Sequence, residues 1–204
     1  MQKACSPRST AKREAILDAA QACFLEHGYS STSMDMVAAK ATVSKATIYA
    51  HFQSKDELFG AIIRRRCDDH SEGLGAVTLA ENLDARAALT AMASHLLTML
   101  MNPEVIGIYR MVVAEAARHP DLAKAYYEEG PLRGKKRLSE ILDTLTARGV
   151  LKVPDSWQAM DQFIGMLRAE YFNRALMGLP ADDRASFDTT VTGAVDVMLK
   201  VYGA

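Results

Sequence analysis

Lys45, Ala46 and Thr47 follow directly on Ser44, and that order suits the reading of a base edge. A lysine ammonium donates to the acceptors of guanine. A threonine hydroxyl bonds an edge or its methyl touches that of thymine, and alanine permits close approach. Ser33 and Ser44, with the amides of the helices they would cap, suit phosphate oxygens. Other reactive types are less well arranged. Cys67, Asp68, Asp69, His70 and Glu72 are metal-ligating types, but residues this close in sequence do not share one helix face, and a polar linker explains them. Cys5, Cys23 and Cys67 are odd in number with no repeated spacing, which argues against a disulfide scaffold or a zinc site. Cys67 as a redox switch is the minor reading. No nucleophile elbow, P-loop or metal-ligand spacing occurs, so neither an enzyme, a cofactor nor a metal is expected.

The elements that must hold Lys45–Thr47 are short helices. Ala11 to His27 repeats Ile16, Leu17, Ala20 and Phe24 at helical spacing, and Gly28 suits a left-handed cap. Thr32 or Ser33 can cap a second helix whose inner face is Met34, Val37 and Ala38. Ser44 caps a third, Lys45 to His51. Two short helices across a turn of a few residues make a helix-turn-helix. Ser54-Lys-Asp-Glu57 is a capping box opening a fourth helix with Leu58, Phe59, Ile62 and Ile63 inward.

Residues 68–82 read as a polar linker or a frayed helix end. Helices are then expected near 84–101, 103–118, 121–147 with an interruption at Gly130-Pro131, 155–177 and 183–202. The fold class is all-α, about nine helices: a three-helix helix-turn-helix domain over 1–66 and a helical effector and dimerisation domain over 67–204.

Charge follows the same division. Up to Arg66 there are ten basic and six acidic residues, a net +4; the remainder has fourteen and nineteen, a net −5. A basic reader on an acidic body suits DNA recognition, whereas the overall charge of −1 excludes a basic nucleic-acid coat. Hydrophobic residues make up 49% of the chain, enough for a packed core. There is no signal-peptide pattern and no run of 18 apolar residues, so a cytoplasmic protein with no membrane partner is expected.

Residues 13–63, with the Gly28-Tyr29 pair, VSKATIYAHF and SKDEL in order, resemble the DNA-binding domain of the tetracycline-repressor family. The resemblance implies a homodimeric regulator of double-stranded operator DNA, released by a small-molecule effector. It also implies that Tyr49 and His51, at the end of the third helix, and Lys55, at the start of the fourth, grip phosphates. Phe52 is expected in the core.

The middle helices offer adaptable apolar and aromatic side chains. Met99, Tyr109, Met111, Tyr126, Phe163 and Met166 are the candidate effector contacts, with His95 and Arg110 as polar anchors. Ordinary core is the alternative for each. The last two helices carry apolar stripes, and Phe163, Leu167, Tyr171, Phe187, Val191, Val195, Met198 and Tyr202 are the candidate dimer contacts. Arg64–Arg66 and the cluster Arg133, Lys135, Lys136 and Arg137 are expected to be solvated helix faces, with an anionic-effector role for the second cluster as the minor reading.

Overall fold

The computed structural model describes residues 7–71, 74, 84–180 and 182–204. Helices run in the order α1 Pro7–Ser31, α2 Met34–Lys40, α3 Lys45–His51, α4 Lys55–Ser71, α5 Ala85–Leu100 and α6 Pro103–Glu115. They continue as α7 Pro120–Tyr127, α8 Arg133–Ala147, α9 Ser156–Leu167, α10 Glu170–Leu176 and α11 Phe187–Tyr202. Among the described residues the only β pairing is two isolated bridges, Leu151 with Gly203 and Asp182 with Ala185. The fold is all-α, with a helix-turn-helix near the amino terminus.

The chain divides into two compact units. One joins the residues up to Arg66 with Gly107–Gly130; the other joins Cys67–Ile106 with Pro131–Ala204. The first therefore includes a segment that the sequence reading placed in the second domain. The cause is burial: Ile108, Val112 and Leu122 enter the same core as Ile16, Leu17, Phe24, Tyr29, Ile48, Phe52, Phe59 and Ile62. In the second unit, α5 contributes Leu89, Met92 and Leu97, α8 contributes Leu142 and Leu145, α9 contributes Met160 and Phe163, and α11 contributes Val195 and Met198. Each such side chain fully removed from water stabilises by roughly 1.5–3 kcal/mol.

Local signals set most boundaries. Asp84 accepts from the Ala87 amide at 2.7 Å, Asn102 from Glu104 at 2.9 Å and Asp155 from Gln158 at 2.9 Å, each satisfying an orphan amide of a first turn. The interruption at Gly130-Pro131 is a π-helical turn, Glu128–Leu132, with Pro131 inside it. Proline lacks the amide a regular helix needs, and the wider turn accommodates it.

Three expectations are corrected in detail. Gly28 has φ 78° and ψ 171°, a combination essentially confined to glycine, so α1 kinks there and continues to Ser31. The expected 155–177 helix breaks at Ala169, whose ψ of −141° separates α9 from α10; neither proline nor glycine marks the break. The last helix starts at Phe187, capped by Ser186 in a reciprocal box with Thr189, while Asp182 closes the preceding turn onto Arg184 and Ala185. Of residues 68–82, which allowed a linker or a helix end, 68–71 form the end of α4 and Leu74 is buried. Positions 72–73 and 75–83, including Glu72, lie outside the described residues.

Candidate nucleic-acid interface

Two hydroxyls and one unusual backbone angle build the helix-turn-helix. Ser33 accepts from the Met36 amide at 3.2 Å and starts α2; Ser44 accepts from the Thr47 amide at 3.1 Å and starts α3. Between them Thr42 has φ 55°. That left-handed residue lets the Thr42 amide donate to the Ala39 carbonyl at 3.2 Å and the Val43 amide to the Ala38 carbonyl at 3.0 Å. Two carbonyls that would be orphaned at the end of α2 are thus satisfied, as in a Schellman motif. Ile48 and Phe52 then anchor α3 in the core.

What α3 leaves outside is the candidate DNA surface. Lys45 and Ala46 are exposed, Thr47 is half-buried with its hydroxyl 2.8 Å from that of Ser44, and Tyr49 is 46% exposed. His51 is half-buried, its ring centroid 6.3 Å from that of Phe52. The structure adds a partner that spacing did not reveal: the Lys45 ammonium lies 2.9 Å from the carboxylate of Asp35, ten residues earlier on α2. The hydrogen bond and charge of Asp35 hold the Lys45 proton more firmly than usual.

Lys55 occupies a built position. Its ammonium donates to the carbonyls of Tyr29 at 2.8 Å and Thr32 at 3.0 Å and stands 4.2 Å from the centre of the Tyr29 ring. Burial lowers its pKa, only partly countered by Asp56 and Glu115. The buried Tyr29 hydroxyl donates to Asp56; burial, then this bond, pushes its pKa well above the ordinary value. Ser30 donates to Glu115 at 2.9 Å and lies 3.1 Å from His119, whose ring meets that of Tyr29 edge-on. At Ser54 the capping serine accepts from Glu57, while the Glu57 carboxylate takes the amide of Gln53 rather than that of Ser54.

The other candidates separate. Arg64 pairs with Glu129, and Arg65 with Glu14 and Asp18. Tyr109, Arg110, Met111 and Tyr126 belong to the first unit, where Tyr109 and Tyr126 meet edge-on with centroids 6.1 Å apart, Met111 is half-buried and Arg110 is exposed. His95, Met99, Phe163 and Met166 belong to the second. There Phe163 is fully buried while the other three are half-buried. Burial lowers the His95 pKa despite a bond to the His70 backbone. Leu167, Val191, Val195 and Met198 are buried in their own unit's core, and Tyr171, Phe187 and Tyr202 are half-buried. The apolar residues that the same two helices expose are Trp157, Val197 and Val201.

Asp68 is bonded by Arg133 and Arg137; burial raises its pKa, but the two guanidiniums outweigh that and hold it below the ordinary carboxylate value. Among the described residues no three candidate ligands gather as a metal site. Lys135 is buried between Asp161 at 2.5 Å and the ring of Trp157, its ammonium 3.8 Å from the centroid. It is therefore not the solvated residue expected of that cluster, because the indole and the carboxylate replace its water.

Comparison with known proteins decides the assignment. Residues 16–62 match the family described as bacterial regulatory proteins, tetR family, and residues 87–204 match the AefR-like transcriptional repressor carboxy-terminal domain. The chain belongs to the tetR family of transcriptional regulators. Within this tetR family, a solved regulator from Mesorhizobium loti MAFF303099 is 32% identical, covers 98% of this chain and 100% of its own, and superposes with a TM-score of 0.83. The flavonoid-responsive regulator FrrA is 31% identical, with 95% and 98% covered and a TM-score of 0.78. The HTH-type regulator YvkB of Bacillus subtilis (strain 168) is 28% identical over 84% of this chain and 86% of its own length. Like other tetR regulators, the protein is a helix-turn-helix DNA-binding regulator of transcription. Among the described residues no single helix is long and apolar enough to cross a membrane.

Proposed function

We propose that the protein is a cytoplasmic homodimeric repressor that leaves its operator when a planar aromatic compound binds. The observation that carries the DNA side of this reading is the exposed edge of α3, where Lys45, Ala46 and Tyr49 stand in water around a helix anchored only by its inner face. Lys45, Ala46 and Thr47 read base edges in the major groove. Ser33, Ser44, Tyr49 and His51 bond phosphates and fix register. Lys55 ties α4 to the end of α1 through the carbonyls of Tyr29 and Thr32, and the third N–H of its ammonium remains for a phosphate.

Dimerisation uses the outer face of α9 and α11, centred on Trp157, Val197 and Val201. Phe163, Leu167, Val191, Val195 and Met198 are buried in the core, while the half-buried Tyr171, Phe187 and Tyr202 can border this face. The effector class follows from the likeness to the flavonoid-responsive FrrA and from the aromatic pair Tyr109 and Tyr126, with Met111 beside the core. Binding shifts the population toward a form whose two recognition helices no longer match successive major grooves.

The test begins with selection of an operator from randomised duplexes by the protein itself. Anisotropy titrations are then repeated with a panel of flavonoids and other planar aromatics. At least one compound is expected to weaken operator binding by roughly 5–150-fold, the range of ordinary allosteric coupling, and to bind more weakly itself when operator is present. Compounds that stabilise the protein yet leave operator affinity unchanged would favour a DNA-binding module without an effector.

A further inference from the structure

The stretch Ser33–His51 contains two lysines and no arginine. Both lysines are already engaged: Lys40 lies 3.1 Å from Glu26 and Lys45 lies 2.9 Å from Asp35. Asp35 and Lys45 remain 65% and 55% exposed, so nothing buries the pair and either side chain can swing away. An exposed pair of this kind adds little to stability. Its consequence is for the partner of Lys45, because any phosphate that approaches this ammonium meets the Asp35 carboxylate too.

We infer that Asp35 is a specificity-determining residue: it holds Lys45 away from the phosphate backbone, so that Lys45 engages DNA only where a base edge outcompetes the carboxylate. A phosphate offers Lys45 much what Asp35 offers, an exposed anionic oxygen, and exchanging one for the other gains little while the freed carboxylate repels the backbone. A guanine edge offers two acceptors in the groove, N7 and O6, away from the phosphate charge. Asp35 thus subtracts more from binding to random DNA than from binding to the operator. This rests on the proposal that α3 is the reading helix.

The experiment compares the wild type with Asp35→Asn on two probes, a random-sequence 30-base-pair duplex pool and the operator that the wild type selects. At about 0.1 M salt the variant is expected to bind the random pool about eightfold more tightly, with a salt slope steeper by about 0.9, the signature of one more neutralised phosphate. Operator affinity is expected to rise about threefold or less, so discrimination falls. Asp35→Ser, a second neutral side chain, is expected to do the same, and circular dichroism melts check that both variants fold. In a Lys45→Ala background, Asp35→Asn is expected to leave the operator-to-random ratio within about twofold, since the two residues act as one unit. Equal gains on both probes, no gain on either, or an unchanged effect in the Lys45→Ala background would each overturn the inference while leaving the reading role of α3 intact. A wild type that selects no sequence would overturn that role and this inference together.

Discussion

Helices α3 and α11 solve opposite problems. In the seven residues of α3 Ile48 alone is buried, whereas α11 has sixteen residues and buries Val191, Ala194, Val195 and Met198. A helix as short as α3 does not stand alone in water. It is held by the Ser44 cap, by the turn at Thr42 and by the anchors Ile48 and Phe52, which leaves Lys45, Ala46 and Tyr49 on its exposed side. For α11 the reverse holds: the apolar stripe that makes the helix conspicuous is spent on its own core, and the face left for another molecule carries Val197 and Val201. Residue type thus signals function in α3, while in α11 it signals folding.

The sharpest way to break this comparison is Phe163→Ala. Phe163 is 1% exposed within its own unit, packed in the cluster that includes Val195 and Met198. Truncation is expected to cost about 3–5 kcal/mol of unfolding free energy, the range for a buried aromatic in a core. Chemical denaturation at two protein concentrations checks it. A loss below about 1 kcal/mol, accompanied by dissociation of the dimer, would return Phe163 to an interface role and undo the contrast. Val201→Asp should behave oppositely. At 60% exposure it should change monomer folding little and, on the proposed pairing of α9 and α11, yield monomers in sedimentation.

A smaller effect separates the two regions by their ion pairs. Asp35 and Lys45 are exposed, whereas Asp68 receives two guanidiniums and is held below its ordinary pKa. A carboxylate with a depressed folded pKa stabilises above its unfolded pKa, and that contribution is lost as pH falls through the folded value. Asp68→Asn is therefore expected to be less stable than the wild type at pH 7. The deficit is about 1 kcal/mol or less, since Asp68 is partly exposed and screened. It should shrink as pH is lowered from about 5 toward 2. Thermal melts across that range check it, and a deficit that grows on acidification would contradict the assignment.

How much of this was legible in the sequence depends on distance along the chain. Caps act within three residues, so the Ser44 cap could be read directly, as could the break at Gly130-Pro131, and the cap of α2 could be narrowed to Thr32 or Ser33. The resemblance of residues 13–63 to the tetracycline-repressor family located the helix-turn-helix, and the family comparison agrees. The Asp35–Lys45 pair was not legible, because ten residues and a turn separate its members and no periodicity joins them. Nor was the break at Ala169, where only the backbone angle marks the end of α9. The apolar stripe of α11 could be counted, but periodicity states only that one face is apolar. Whether that face meets its own chain or a second copy is settled by tertiary packing. The packing partners of the segment 107–130 were not legible for the same reason, since Ile108, Val112 and Leu122 look like any helix core until their partners are known.

The smallest expected effect lies in the turn that joins α2 to α3. Thr42 holds a φ of 55°. The left-handed region costs an L-residue roughly 1–2 kcal/mol, and a β-branched side chain is among the least suited to it. Thr42→Gly removes that strain but adds conformational freedom to the unfolded chain, which offsets about 0.5–1 kcal/mol. The net expectation is a stabilisation of about 0.5–1 kcal/mol. Thr42→Ala, without the branch but with a Cβ, should fall between the wild type and the glycine variant. Both retain the Thr42→Ala39 and Val43→Ala38 backbone bonds, so the position of α3 should not move and selected-operator affinity should stay within about twofold. Urea unfolding of the three proteins decides the first point and anisotropy the second. If Thr42→Gly instead weakens operator binding while it stabilises the fold, then strain at this turn helps to set the pose of α3. The anchors Ile48 and Phe52 would no longer suffice to explain how so short a helix is held.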